Sequence, residues 1–143
     1  MMTIMRAGGE RLTIHSLRDL ASHEADAFKW LESERCGYDV GSIAHREWCR
    51  RHWRTFCRYR RIDHLLGTRR IREFDDNSFG SLNDPIFLLR PVVSFVVQRF
   101  VHEGWENLHF FLWAESHGFS DRELVDVLSV LDVNSARIDP PWT

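Results

Sequence analysis

The stretch SIAHREWCRRHWRTFCRYRRIDHLLG, residues 42–67, decides how this chain is read. It holds no proline, ends on a glycine, and its apolar residues recur at helical spacing. At about 100° per residue, Ala44, Trp48, Thr55, Phe56, Tyr59, Ile62 and Leu66 fall within one arc, the side expected to face a core. Arg46, Arg50, Arg54, Arg58 and Arg61 fall within another arc, roughly opposite. The spacing therefore predicts a long helix from a Ser42 cap to Leu66, stopped by Gly67 and carrying an arginine stripe several turns long. Like charges four residues apart destabilise a helix by a few tenths of a kcal/mol per pair unless something neutralises them.

Working outward, Ser16 to Arg35 has Leu17, Leu20, Ala21, Phe28 and Leu31 at helical spacing, with Ser16 as N-cap and Gly37 as stop. Residues 68–83 alternate weakly at Ile71 and Phe74, then contain Asp75, Asp76, Asn77 and Gly80, and read as an irregular loop with room for a short extended piece. Asp84-Pro85 starts a third helix, expected to reach Glu103 with a bend at Pro91. The β-branched stretch Pro91–Val101 also suits a strand. Glu106–His117 forms a fourth helix ended by Gly118, and Ser120 with Glu123 makes a capping box for a fifth through Leu131 or Asp132. The chain thus reads as a compact, single all-α domain of about five helices: an N-terminal extension over 1–15, a helical domain over 16–133 and a tail over 134–143.

Composition agrees. The 143 residues are 43% hydrophobic and 28% charged, enough for one core and too apolar for a disordered tail. Cys36, Cys49 and Cys57 cannot make a disulfide framework and suit a reducing, cytoplasmic setting. The opening MMTIMRAGGE is too short of apolar residues for a signal peptide, and Ile86–Val101 is broken by charge and proline and falls short of the ~20 residues that span a bilayer. No membrane association is expected.

Charge is concentrated. The net charge is −2, yet between His45 and Arg72 ten arginines face only Glu47 and Asp63, a local surplus of eight that leaves the remainder strongly acidic. Guanidinium forks bind phosphates and carboxylates bidentately, so the stripe, with Arg69 and Arg70 after it, fits a polyanion or an acidic protein surface. A solvated face, or pairing with Glu24, Asp26, Glu32 and Glu34 of the first helix, would neutralise it internally. No finger spacing, helix-turn-helix or RNP-like strand accompanies it.

His45, Cys49 and His52 line up over two turns of the same helix, a spacing that can ligate zinc, with Cys36 or His64 as remote completions. Glu106-x-x-His109 is half of a di-iron carboxylate motif, without its second half. The pairs His23-Glu24 and His102-Glu103 lack the downstream histidine of a zinc protease, and no phosphate-binding glycine loop or nucleophile elbow occurs. Six tryptophans and ten phenylalanines exceed what a small interior holds, so some of Trp30, Trp53, Trp142 and Phe111 are expected at the surface as interface anchors.

The run Trp30-x-x-Ser33-Glu34-x-x-Gly37-x-Asp39-Val40-Gly41 resembles a signature of uncharacterised bacterial proteins, some from planctomycete-type genomes. In those proteins it is followed by a helix with a Trp-x-x-x-x-Trp repeat, here Trp48 and Trp53, and by a segment like Leu131-Asp132-Val133-Asn134-Ser135-x-Arg137. The resemblance implies no activity. The residues themselves suggest a hinge, with Gly37 and Gly41 supplying turn conformations and Asp39 capping backbone N–H groups, or a ligand site built from Ser33, Glu34 and Asp39. Asn134, Ser135 and Arg137 are placed to dock on that hinge. The reading is a non-catalytic binding or accessory module for a protein or nucleoprotein partner, or a homo-oligomer, acting through the stripe and exposed aromatics. Direct nucleic-acid binding by helix 42–66 is the alternative, and a metal-dependent enzyme or sensor at His45, Cys49 and His52 the second. No cofactor is expected.

Overall fold

The structure is a computed structural model that describes residues 2–5 and 11–143. Most of the chain is helical, with six α-helices among the described residues, α1 (Leu17–Cys36), α2 (Ile43–Leu66), α3 (Pro85–Leu88), α4 (Pro91–His102), α5 (Asn107–Trp113) and α6 (Asp121–Leu131). A small sheet accompanies them. Strand β1 (Met2–Met5) pairs antiparallel with β2 (Arg11–His15), whose end runs parallel to β3 (Arg70–Ile71). Of the expected N-terminal extension, residues 1 and 6–10 lie outside the described residues; the remainder forms these strands, in which Thr3, Ile4, Thr13 and Ile14 supply β-branched residues.

The long helix is as its spacing predicts. α2 spans 24 residues, about 36 Å, and ends on Gly67 in the left-handed conformation at φ 78°. Ser42 differs from expectation: it sits in helical conformation and its side chain makes no capping bond, while the Gly41 N–H donates to Asp39 Oδ1 at 2.9 Å. α1 starts as read, the Asp19 N–H donating to Ser16 Oγ at 3.0 Å, and both carboxylate oxygens of Glu73 accept from the Leu17 N–H. The short connection 37–42 folds α1 back along α2 as a helical hairpin.

The third predicted helix is two. Proline removes a backbone donor and pushes the residue before it out of the helical region; Arg90 stands at φ −69°, ψ 128°, so the chain breaks at Pro91 instead of bending. Pro91–His102 is a helix and not a strand. The fourth predicted helix ends early, at Trp113, and continues as a 3₁₀ turn over Glu115–His117.

Two apolar clusters share α2 as a spine. One, of Leu17, Ala21 and Ala25 with Trp48, Trp53, Phe56, Ile71 and Phe74, joins α1, α2 and the sheet. The other joins the last turns of α2 to α4, α5 and α6 through Leu65, Val96, Phe100, Phe110, Leu124 and Leu131. Because α2 is covered on two sides, its buried surface is not one arc: Cys49, Trp53 and Cys57 are inside, and Thr55 and Tyr59 are exposed.

The loop 68–83 is irregular, as expected, apart from β3 and a 3₁₀ turn, and His64 staples it. His64 is fully buried; its Nδ1 accepts from the Ile71 N–H at 3.0 Å and its Nε2 donates to the Asp75 carbonyl at 2.9 Å. Burial lowers its pKa and favours the neutral ring that this pair of bonds requires.

Candidate functional site

The arginine stripe divides along α2. Arg46, Arg50 and Arg54 are exposed on its first turns, whereas Arg58 and Arg61 are buried at 6% and 2% exposure. The division follows from what covers the helix. The last turns of α2 run under α4, α5 and α6, and a guanidinium there survives only if every donor finds an acceptor. Arg58 donates to the carbonyls of Phe100 and Trp105 and to Glu106 Oε1, each at 3.0 Å, and lies 4.5 Å over the Phe100 ring. Arg61 donates to the Leu131 carbonyl at 2.9 Å and Ser78 Oγ at 3.1 Å. Desolvation lowers the pKa of both, with Glu106 opposing it for Arg58 and Asp132 for Arg61. These two are core supports.

Glu106, read in the sequence as a helix start and half of a di-iron motif, is instead the centre of a guanidinium cluster. Its Oε1 meets Arg58 at 3.0 Å, Arg137 at 2.8 Å and, more loosely, Arg54 at 3.8 Å. It also caps α5, with the Glu106 N–H donating to His109 Nδ1 at 3.0 Å. The Glu106-x-x-His109 spacing is therefore a reciprocal cap and not half of a di-iron site. Arg137 is drawn to Glu106, and the Ser135 hydroxyl to the Asp132 carbonyl at 2.7 Å, so the segment 134–137 does not dock on the 30–41 turn.

After Ala136 the chain runs back along the first turns of α2. The indole N–H of Trp53 donates to the Ile138 carbonyl at 2.6 Å, and the Trp142 ring sits 5.0 Å from the His45 ring with Arg18 5.8 Å from it on its own contact. Between α2 and this tail lies a groove of about 670 Å³. Trp53, Cys57, Val133 and Ala136 give it an apolar floor, and Arg46, Arg50, Arg54, Arg58 and Arg137 stand against two lining carboxylates, Glu47 and Asp139. Hydrogen bonds from Arg50 and Arg51 pull the Glu47 carboxyl down to about 2, so Arg50 has a carboxylate partner, which it shares with Arg51. Arg54, with its side chain 83% exposed, has only the distant Glu106, and Arg46 has no carboxylate within ion-pairing distance among the described residues.

The α1 acids do not neutralise them. Glu32 pairs with Arg35 on its own helix and Asp26 with His45 at 2.8 Å; neither Glu24 nor Glu34 meets the stripe. Arg69 is exposed beyond the helix end, and Arg70 is taken by Asp76 at 2.6 Å and by the Phe79 ring, so Arg61, Arg69 and Arg70 stand apart from the groove.

Trp30, Ser33, Glu34, Gly37 and Asp39 do come together, around a shallow depression that Tyr38 also lines. The Val40 N–H donates to Ser33 Oγ at 3.2 Å, and Gly37 closes α1 at φ 78° with its N–H on the Ser33 carbonyl. Gly41 lies outside that depression, linked only by its bond to Asp39. Among the expected exposed aromatics, Trp30 and Phe111 are exposed, Trp142 is half-buried and Trp53 is buried.

His45, Cys49 and His52 do not converge. His45 is held by Asp26, His52 packs edge-on against Phe28, and burial raises the Cys49 thiol. Burial pushes the Cys57 thiol up to about 12. Among the described residues no three such side chains are grouped to hold a metal, and no helix is long and apolar enough to cross a membrane. Comparison with family models, curated proteins and solved structures finds no match to this chain.

Proposed function

We propose that the chain is a binding module that docks an acidic segment of a protein partner in the groove between α2 and the C-terminal tail. One observation carries this: beside an apolar floor Arg46 has no carboxylate partner among the described residues, and Arg54 has only Glu106 at 3.8 Å. Arginines beside buried aromatic surface are what protein interfaces use as anchors, because the floor contributes apolar burial while the fork selects a carboxylate. The apolar floor favours a peptide over a nucleic-acid backbone, whose affinity comes chiefly from phosphate neutralisation. Free Cys36, Cys49 and Cys57 fit a reducing compartment.

The test titrates a labelled peptide of alternating Asp and Val, and labelled single- and double-stranded nucleic acids, against the native chain and Arg46→Glu/Arg54→Glu. Both residues are exposed, so the double variant folds, which circular dichroism checks. Peptide binding with a shallow salt dependence, lost in the double variant, is expected. Tighter, salt-steep binding of nucleic acid would replace this reading with the nucleic-acid one. Failure of the native chain to bind peptide would overturn it.

A further inference from the structure

We infer that the depression at the turn between α1 and α2 takes the guanidinium of an arginine carried by a basic segment of a protein partner, with Trp30 and Tyr38 offering ring faces and Glu34 the carboxylate. The depression shares no lining residue with the groove between α2 and the tail, so the inference stands apart from the docking of an acidic segment there.

Local sequence builds the depression. Asp26, Trp30, Ser33, Glu34 and Gly37 fall at steps of three and four along α1 and so share one helix face. Gly37, in the left-handed conformation, turns the chain back. The Val40 N–H on Ser33 Oγ and the Gly41 N–H on Asp39 Oδ1 fix that turn, which brings Tyr38 to the edge of the same face. Trp30 and Glu34 stand one helical turn apart, with about 5–6 Å between their Cβ atoms. A planar guanidinium lying on the Trp30 ring therefore has the reach to set its fork on the Glu34 carboxylate.

Guanidinium–ring contacts recur through the described residues, from Arg70, 4.2 Å from the Phe79 centroid, to Arg18, 5.8 Å from that of Trp142. Among those residues Trp30 and Tyr38 meet neither a cation nor another ring, although they are 63% and 67% exposed and each keeps a face open to water. Three carboxylates line the depression against one ammonium. Asp26 is held by His45 at 2.8 Å and Asp39 by Lys29 at 3.8 Å, while Glu34 has neither an ion pair nor a hydrogen bond among the described residues. A negative surplus beside open ring faces attracts a cation and repels the phosphates of a nucleic acid. An apolar occupant would cover Glu34 without pairing it. Among cations, a guanidinium stacks and forks at once, whereas the ammonium of lysine is a compact, strongly hydrated point charge. The depression is open, so it holds a single side chain weakly, and the arginine is one anchor of a longer segment.

The test titrates the isotope-labelled full chain with terminally blocked Gly-Arg-Gly, Gly-Lys-Gly and Gly-citrulline-Gly at millimolar concentrations. Nuclear magnetic resonance follows the indole N–H signals, that of Trp30 being assigned by its absence from Trp30→Phe. The Trp30 signal is expected to shift saturably with the arginine peptide, at higher concentration with the lysine peptide, and without saturation with the uncharged citrulline peptide. An exposed ring–cation contact and an exposed ion pair each change affinity about two- to fivefold, so Tyr38→Ala and Glu34→Gln are each expected to weaken the arginine peptide by that factor. Glu24→Gln, which removes an exposed α1 carboxylate outside the depression, is expected to leave binding unchanged. All three positions are exposed, so the variants fold, which circular dichroism checks. The Arg46→Glu/Arg54→Glu variant is expected to retain arginine-peptide binding, which separates this site from the groove. An unmoved Trp30 signal, an equal response to citrulline, or a loss in Glu24→Gln as large as in Glu34→Gln overturns the site. Lysine binding as tightly as arginine overturns the selection of a guanidinium. A Trp30 signal that moves with the concentration of the chain alone overturns the separate partner and places the arginine on a second copy.

Discussion

Replacing Arg58 by Met separates a buried support from a surface contact. Arg58 and Arg54 lie one turn apart on one helix face, yet Arg58 is 6% exposed and Arg54 reaches into solvent. Methionine fills much of the volume of the arginine stem and leaves three acceptors without their donor, namely the carbonyls of Phe100 and Trp105 and one oxygen of Glu106. Breaking a buried charged pair by removing one partner costs about 3–5 kcal/mol, and each orphaned buried acceptor about 1–3. Arg137 still holds Glu106 at 2.8 Å, and the guanidinium no longer has to be desolvated, so about 3–4 kcal/mol is the expected net loss. With a slope of about 2 kcal/mol per molar urea, the midpoint falls by about 1.5–2 M. Urea unfolding followed by circular dichroism and tryptophan fluorescence measures it, with Arg54→Met as the control expected within about 0.5 kcal/mol of native. An Arg58→Met midpoint no lower than that of Arg54→Met would refute the division of the stripe.

Two further outcomes follow from the same supports. His64 is buried and neutral, and burial lowers its pKa from 6.5, so below pH 6.5 the unfolded chain binds more protons than the folded one. Its contribution to stability is complete above that pH and is lost as pH falls through the lowered folded value; His15, also lowered by burial, acts in the same direction. The urea midpoint should therefore drop on acidification from neutrality, and the His64→Asn variant should show a shallower drop. Trp53→Phe keeps the stacking on Phe56 and removes the N–H bond to the Ile138 carbonyl. It should cost about 1 kcal/mol and speed amide exchange in residues 138–142, read by hydrogen–deuterium exchange; unchanged exchange there would mean that the indole does not hold the tail.

What the sequence made legible was what neighbours in the chain decide. Ser16, Gly37 and Gly67 mark the ends of α1 and α2 because caps act within one turn, and the run 42–67 reads as helix because its spacing is local. The β1–β2 pair escaped because strands of four and five residues show too few alternations to stand out from an extension, and the short β3 takes its partner from more than fifty residues away. Pro91 was visible as a disruption, but whether a helix bends or breaks there depends on Arg90 taking an extended conformation. Periodicity placed five arginines on one face without saying what covers each. Burial of Arg58 depends on carbonyls from Phe100 and Trp105, and the groove exists only because the tail returns to Trp53. Glu106-x-x-His109 reads in the sequence only as half of a di-iron motif, and its place at the start of α5 makes it a cap.

The same hub explains why the exposed arginines are available. Glu106 stands where three guanidinium groups meet, and the buried one, Arg58, has the strongest claim on it because it has no water to fall back on. Arg137 takes the second place at 2.8 Å and fixes the start of the tail wall, which leaves Arg54 at 3.8 Å with its charge largely unmet. Arg50 shares Glu47 with Arg51, so the least-paired positive charge on this face is that of Arg46 and Arg54, at the two ends of the exposed stripe. On the proposed docking, an acidic segment would compete only with the long Arg54–Glu106 contact at 3.8 Å, and would do so beside Trp53 and Ala136, where apolar burial adds to the affinity. The core network under the last turns of α2 and the surplus charge on its first turns are two consequences of one carboxylate shared by three arginines.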